Sequence, residues 1–332
     1  MKIGMLFPGY GSQFVGMGKE LYDHSRIVQE YFEEASHCLN INFVKLCFAS
    51  SDIELSKITH AYPALFLTST AVAAAVKELG ITIDVVAGHG IGEYSALCTA
   101  QGLSFPDGLY IINKLALFYT QRREELDVKT VMVDGLSARA LKKICKDSSS
   151  DDCEAQISVY ETKTEHMVSG HTQAVESVAH SASDAGAQKV RNVKTEEGFH
   201  TPLLAELEQQ LKIYLTKVDF KDLSIPLVTN VDAKIVTRAK HVQDAVMRQI
   251  IEPVYWHDIL KHFANVDVII IPAPSKALYA EVKSYYPDKQ IFVVQQPEDL
   301  EKLRALMLTQ SEQKTSYDIL EVASVSQENE LS

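Results

Sequence analysis

The chain has 332 residues, 46% hydrophobic and 23% charged, which is apolar sequence enough for a full core in one large domain or two modest ones. A formal net charge of −12 repels phosphate backbones and argues against a nucleic-acid binder, and no apolar run is long enough to span a bilayer, so no membrane partner is expected. Cys38, Cys47, Cys98, Cys145 and Cys153 are scattered, odd in number and outside Cys-x-x-Cys or Cys/His spacing, and they read as reduced thiols of a cytoplasmic protein with no disulfide framework and no metal site.

Met1-Lys2 runs directly into the strand-like Ile3-Gly4-Met5-Leu6-Phe7, without the longer apolar region and small-residue cleavage site of a secretory leader. Next comes Pro8-Gly9-Tyr10-Gly11-Ser12-Gln13-Phe14-Val15-Gly16-Met17-Gly18, a loop whose glycines let backbone N–H groups approach a ligand. It has neither the G-x-G-x-x-G spacing of a dinucleotide fold nor the Gly-Lys-Ser/Thr ending of a P-loop. Periodicity predicts helices over His24–Leu39 and Tyr62–Leu79, the second with Pro63 near its first turn and Gly80 closing it.

The apolar strand Ile83–Ala87 then enters Gly88-His89-Gly90-Ile91-Gly92-Glu93-Tyr94-Ser95 and a short helix, Gly92–Ala100. A strand, a tight glycine turn and a helix are the layout of a nucleophile elbow, in which G-x-S-x-G lifts a serine hydroxyl above the sheet. Here the middle position is Gly90, which has no side chain to attack with. A long helix follows over Ser104–Leu126, with Ser104 as N-cap and Pro106 in its first turn.

Between Val128 and Lys194 the pattern becomes short: strands at Thr130–Val133, Ile157–Tyr160, His166–Val168 and Lys189–Val193, and helices at Ser137–Cys145 and Thr172–Ala185, with Lys146–Asp152 an exposed loop. This order fits a ferredoxin-like sandwich inserted into a larger domain. Beyond it, Thr201 and Pro202 can start a helix whose Leu203, Leu204, Leu207, Leu211 and Leu215 form one stripe, leaving His200 at the helix mouth. Strand Ile225–Thr229, helices around Gln243–Ile251 and His257–Phe263, strand Val266–Ile271, helix Lys276–Tyr285, strand Gln290–Val294 and helix Pro297–Leu308 continue an alternating βα pattern. That alternation belongs to an α/β protein with a parallel sheet covered on both faces. The expected division is a large subdomain over 1–127 and 195–309, a small one over 128–194, and a polar, mobile tail over 310–332.

Six motifs in order resemble one family. They are Phe7-Pro8-Gly9-Tyr10-Gly11-Ser12-Gln13 with Gly16-Met17-Gly18, Pro63-Ala64-Leu65-Phe66, Gly88 to Leu97, Phe199-His200-Thr201-Pro202-Leu203, Asn230-Val231-Asp232-Ala233, and Gln249-Ile250-Ile251-Glu252-Pro253-Val254-Tyr255-Trp256. Together they look like the acyl-CoA:acyl-carrier-protein acyltransferases, which include the malonyl transacylases of fatty-acid and polyketide synthesis. The resemblance implies an α/β-hydrolase-like large subdomain beside a ferredoxin-like small one. Acyl-CoA and phosphopantetheine thioesters would be the substrates, an acyl carrier protein the partner, and no bound cofactor would be needed. In that family an elbow serine takes the acyl group while a histidine, oriented by a backbone carbonyl, serves as base and acid. Carried over, the histidine is His200, the carbonyl that of Gln249, and the oxyanion donors the N–H groups of Tyr10 and Ile91, with Phe199 in the substrate pocket.

The departures lie in the same pocket. Gly90 stands at the serine position, Tyr10 and Tyr62 at two glutamine positions, Leu115 followed by Ala116 at the arginine-glycine pair that holds the malonyl carboxylate, Glu161-Thr162-Lys163-Thr164-Glu165 at an Asn-Ser-Pro-x-Gln run, and Pro272-Ala273-Pro274 at a Gly-Pro-Gly turn. A carboxylate without its guanidinium loses a bidentate charge-assisted pair, which argues against malonyl as substrate. In proteases, loss of the serine costs about 2 × 10⁶ in turnover and leaves roughly 10³ to 10⁴ over water. Ser12, Ser95 and Cys98 are the other nucleophiles nearby, and none lies at the elbow crest.

Several of these residues also have plain readings. His89 reads as a packed structural histidine, Tyr10 and Tyr62 as rings filling a formerly wet cleft, and the basic pairs and clusters Arg122-Arg123 and Lys189, Arg191, Lys194 as solvated surface charges. Two functional readings follow from the sequence. One is an acyltransferase-like protein, catalytically impaired, that binds a carrier protein or an acyl chain. The other is an active acyltransferase or acyl-thioester hydrolase of non-malonyl specificity that uses His200.

Overall fold

A computed structural model describes residues 1–193 and 199–308; the subdomain boundary expected at Lys194 and the polar tail expected over 310–332 lie outside the described residues. Its strands are β1 (Ile3–Phe7), β2 (Val85–Gly88), β3 (Val128–Asp134), β4 (Ala155–Tyr160), β5 (Glu165–His171), β6 (Lys189–Val193), β7 (Leu227–Val228), β8 (Ile235–Val236), β9 (Val268–Pro272) and β10 (Gln290–Val294).

The larger sheet has the order β10-β9-β1-β2-β7-β8, parallel throughout except for the antiparallel β7–β8 pair. Ile3-Gly4-Met5-Leu6-Phe7 is buried along its whole length, as an unbroken apolar strand at the centre of a parallel sheet must be when helices cover both faces. The register of β1 on β2 pairs Phe7 with Gly88, so the glycine-rich loop after β1 and the elbow after β2 leave the sheet side by side. The His89 N–H donates to the Phe7 carbonyl at 3.0 Å and fixes that alignment.

The smaller sheet has the order β4-β5-β3-β6, all antiparallel, with helices Ala138–Asp147 and Thr172–Asp184 packed on one face. Strand, helix, two strands, helix, strand in that order is the ferredoxin-like arrangement, and the α/β fold class expected from the sequence is the one found. Capping marks several boundaries. The Ser104 and Ser137 hydroxyls accept from the N–H groups of Asp107 (3.2 Å) and Ala140 (3.3 Å), opening helices Phe105–Glu125 and Ala138–Asp147.

Other boundaries differ from expectation for local reasons. The helix expected over His24–Leu39 runs over Arg26–Leu39, and a separate helix Lys19–His24 precedes it, the two parted where Ser25 turns extended at φ −123°. The helix expected to begin at Tyr62 starts at Ile58, so Pro63 lies inside it and forfeits only the bond to the Thr59 carbonyl. Asn42 and Ser51 cap two short helices, Phe43–Ala49 and Asp52–Leu55, that are too brief for periodicity to reveal. The strand expected over Ile225–Thr229 pairs only at Leu227–Val228 and turns back into β8. Pro202–Leu204 is a 3-10 turn before the helix Ala205–Leu215, and Leu203 is half-exposed while Leu204, Leu207, Leu211 and Leu215 are buried. None of the helices among the described residues is long and apolar enough to cross a membrane.

Candidate functional site

The elbow packs so tightly on β1 that side chains are excluded at two of its glycines. A Cβ at Gly88 would lie 2.0 Å from the Gly92 carbonyl carbon, and one at Gly92 would lie 2.6 Å from the Phe7 carbonyl oxygen. Gly90 is different. It sits at the crest with φ +52°, in the left-handed region, and leaving aside its chain neighbours a Cβ there would meet one atom of the described residues within 4 Å, His200 Nε2 at 3.9 Å.

Three buried polar side chains clamp this turn. The Gly90 N–H donates to Asn230 Oδ1 at 3.1 Å, while Asn230 Nδ2 donates to the Gly88 carbonyl at 2.9 Å. Gln249 Nε2 donates to the Gly90 carbonyl at 2.9 Å and to Glu93 Oε2 at 2.5 Å, and Glu93 Oε1 accepts from the Asn230 N–H at 3.1 Å. Asn230 follows β7, and Gln249 closes the helix Ala239–Arg248, so the clamp ties the elbow to two later segments of the chain. Burial pushes the Glu93 carboxyl up to about 7, against the Asn230 and Gln249 bonds that favour its charge.

His200 adopts φ +57° and is 4% exposed. Its Nδ1 lies 2.6 Å from the Gln249 carbonyl oxygen, which can only accept, so Nδ1 carries the proton and Nε2 presents a lone pair toward Gly90. Burial pulls the imidazole down to about 4, with the Gln249 bond opposing, so the ring is neutral near pH 7. Gln156 Nε2, from β4, donates to the His200 carbonyl at 2.8 Å and ties the ring's backbone to the smaller sheet.

These two buried groups make a testable pair. The folded pKa of His200 lies below its ordinary 6.5, so its contribution to stability is complete above pH 6.5 and lost as pH falls toward 4. Glu93 runs the opposite way: its folded pKa is above the ordinary 4.5, so its contribution is present below that value and lost as pH rises through 7. Between about pH 4.5 and 6.5 the two slopes oppose. Relative to the parent protein, His200→Gln is expected to gain stability as pH is lowered from 6.5 to 5, and Glu93→Gln to lose it, by an amount on the order of 2 kcal/mol in each case. Urea midpoints measured across that range would show it; parallel curves for parent and both variants would mean that neither group titrates differently on folding.

Aromatic rings line the approach to His200. The Tyr10 hydroxyl donates to the Ser56 carbonyl at 2.6 Å and its ring meets Tyr62 edge-on at 5.5 Å. Tyr62 is fully buried, 6.4 Å from Phe199, and Phe199 lies 4.7 Å from the His200 ring and 5.0 Å from Tyr119. Leu115 and Ala116, inside helix Phe105–Glu125, are fully buried in the same apolar cluster, with Tyr10 packed at its edge. Ile91 is buried directly before helix Gly92–Thr99.

At the mouth, His89 Nε2 is 3.0 Å from Glu161 Oε2 and the ring meets Trp256 edge-on at 4.9 Å. Trp256 Nε1 in turn donates to Glu281, whose carboxyl is pushed up to about 8 by burial and by Glu161. Glu93, Asn230 and Trp256 are signalled in the sequence only as members of motifs, and Glu161 only by its place in a run; their contacts span too much sequence for spacing to find.

The remaining candidates are placed elsewhere. Ser95 is buried in its helix, and burial pushes the Cys98 thiol up to about 12, out of the reactive range. Arg122 pairs with Glu125 at 2.7 Å and Glu206 at 3.2 Å, Arg191 with Glu165 at 2.9 Å, and Lys194 is outside the described residues. Among the described residues no group of three or more His, Cys, Asp or Glu side chains could hold a metal ion.

Residues 5–291 match the family described as acyl transferase domain. The malonyl CoA-acyl carrier protein transacylase of Bacillus subtilis (strain 168) is 32% identical to this chain over 302 residues, 90% of this chain and 95% of its own length. The crystal structure of MCAT from Streptococcus pneumoniae superposes with a TM-score of 0.85 at 28% identity, covering 92% of this chain and 99% of that one. A structure of a type II PKS acyl-carrier protein in complex with its malonyl-transacylase matches with a TM-score of 0.85 at 25% identity, covering 90% and 98%.

Proposed function

The chain belongs to the acyl transferase domain family, and from that premise we propose that it engages acyl thioesters of a carrier protein without carrying the acyl group on its own elbow. One observation carries the reading. At the left-handed crest, where a Cβ would lie 3.9 Å from His200 Nε2, stands a glycine with no atom to attack a carbonyl. The rest of the family's apparatus has counterparts: His200 as base, the Gln249 carbonyl as its orienting group, and the N–H groups of Tyr10 and Ile91 as oxyanion donors.

The partner in this reading is an acyl carrier protein, by likeness to relatives named as acyl-carrier-protein transacylases and to the carrier complex. The acyl group is not malonyl, because Leu115 and Ala116 offer a carboxylate only apolar surroundings. In this reading the large subdomain, 1–127 and 195–309, carries the elbow, and the small one, 128–194, meets it through Gln156 and Glu161.

The direct test is intact-mass measurement after incubation with malonyl-, acetyl- and octanoyl-CoA. The unmodified protein is expected to show no acyl adduct with any of them. An adduct near one per chain would overturn the reading, and peptide mapping would then name the nucleophile.

A further inference from the structure

We propose that the space above Gly90 seats a water molecule which His200 activates, so that the protein hydrolyses short apolar acyl thioesters, where the relatives described above are named as malonyl transacylases. The inference rests on the preceding assignment of His200 as base and adds a nucleophile to it.

An atom at the Cβ position of Gly90, its chain neighbours aside, has nothing among the described residues nearer than His200 Nε2 at 3.9 Å. An oxygen placed there and moved about 1 Å toward the ring makes an ordinary hydrogen bond of roughly 2.9 Å. The tautomer is the one required: with Nδ1–H held by the Gln249 carbonyl at 2.6 Å, Nε2 is the acceptor. A water donating one hydrogen to Nε2 keeps a lone pair for a carbonyl carbon lying on its far side. The clamp of Asn230 and Gln249 on Gly88 and Gly90 holds the crest in this shape without help from a side chain at position 90.

The step closes without a co-reactant. The water oxygen bonds to the thioester carbonyl carbon while Nε2 takes its proton, and the N–H groups of Tyr10 and Ile91 face the oxyanion. The C–S bond then breaks, Nε2 returns the proton to the departing sulfur, and the products are a carboxylic acid and a thiol. A serine would hold the acyl group until a second thiol arrived; a water takes it away in one step. Acyl size follows from the walls: Tyr62 and Leu115 are fully buried, and Tyr10 leans on Tyr62 at 5.5 Å, which favours acetyl over long chains.

The test is release of acetate from acetyl-CoA and of butyrate from butyryl-CoA by the full chain, with intact mass recorded in parallel. Hydrolysis of acetyl-CoA is expected at about 10² to 10⁴ times the buffer rate, the usual range for a positioned general base. His200→Gln should bring it within a few-fold of buffer, and so should Gly90→Ala, whose methyl takes the position of the water. Because Gly90→Ala strains the left-handed crest, its fold is checked by its thermal transition, and the pH profile of the parent gives an independent readout. The rate should stay level from pH 8 down to about 5 and drop as His200 gains its proton near 4. Hydrolysis at the buffer rate for both thioesters, or a parent rate retained in His200→Gln, overturns this inference and leaves the preceding reading standing. An acyl adduct on the parent overturns the preceding reading as well.

Discussion

Gly90→Ser is expected to become covalently acylated on mixing with acetyl-CoA, to nearly one group per chain, and to pass that group to a holo acyl carrier protein. The serine Cβ would lie 3.9 Å from His200 Nε2, and the hydroxyl oxygen, about 1.4 Å further out, can turn to within hydrogen-bond reach of that lone pair. The ring is already in the accepting tautomer and neutral near pH 7, so no other group has to change state. Against a parent lacking any nucleophile at the crest, acylation should rise at least about 10³-fold, a modest part of the roughly 10⁶ that an elbow serine is worth elsewhere. The gain in chemistry has a counterpart in stability. At φ +52° glycine is at ease and serine is not, so the variant should lose about 1 to 2 kcal/mol. A folded Gly90→Ser protein that stays unlabelled by acetyl-CoA would show that Tyr10 and Tyr62 have closed the site to acyl groups, and the loss would then be of binding as well as of attack.

Much of this site is legible in the residues because its parts are local. Gly88 and Gly92 flank the crest at the spacing an elbow needs, and each is glycine for a steric reason the fold makes plain. Ser104 and Ser137 announce their helices by capping chemistry that acts over three residues. The alternation between Val128 and Val193 gives a ferredoxin-like order of strands and helices, although only β4 and β5 pair as sequence neighbours and β6 reaches back to β3. What was hidden is long-range. Glu93 reads as one charged residue on a short helix, yet it is fully buried and held by Asn230 and Gln249, which lie 137 and 156 residues further along. Tyr119 carries no motif at all, and it enters the site only because helix Phe105–Glu125 brings it against Phe199. The break at Ser25 and the left-handed φ of His200 are likewise set by packing, since neither residue type demands them.

Leu115→Arg, which introduces the arginine that the resemblance implies for this position, is expected to destabilise the parent by about 3 to 5 kcal/mol. Leu115 is fully buried near the middle of a helix that runs from Phe105 to Glu125, too far from either end for a long side chain to reach water along the axis. Its cluster includes Ile111, Ile112, Tyr119, Tyr62 and Phe199, none of which offers a carboxylate, so among the described residues a guanidinium there would be desolvated with apolar and aromatic neighbours. Leu115→Met, which keeps volume and polarity, should cost less than about 1.5 kcal/mol and separates the effect of charge from that of shape. Urea unfolding of the three proteins measures both differences. Malonate supplies a further arm: if the pocket keeps its ancestral outline, the anion pairs with the new arginine and moves the midpoint of Leu115→Arg upward with concentration, while leaving the parent unmoved. A variant as stable as the parent without any anion would mean that water or a carboxylate already reaches position 115. The tyrosines would then be lining an open acyl pocket, not filling it, and the restriction to short apolar acyl groups would fall with it.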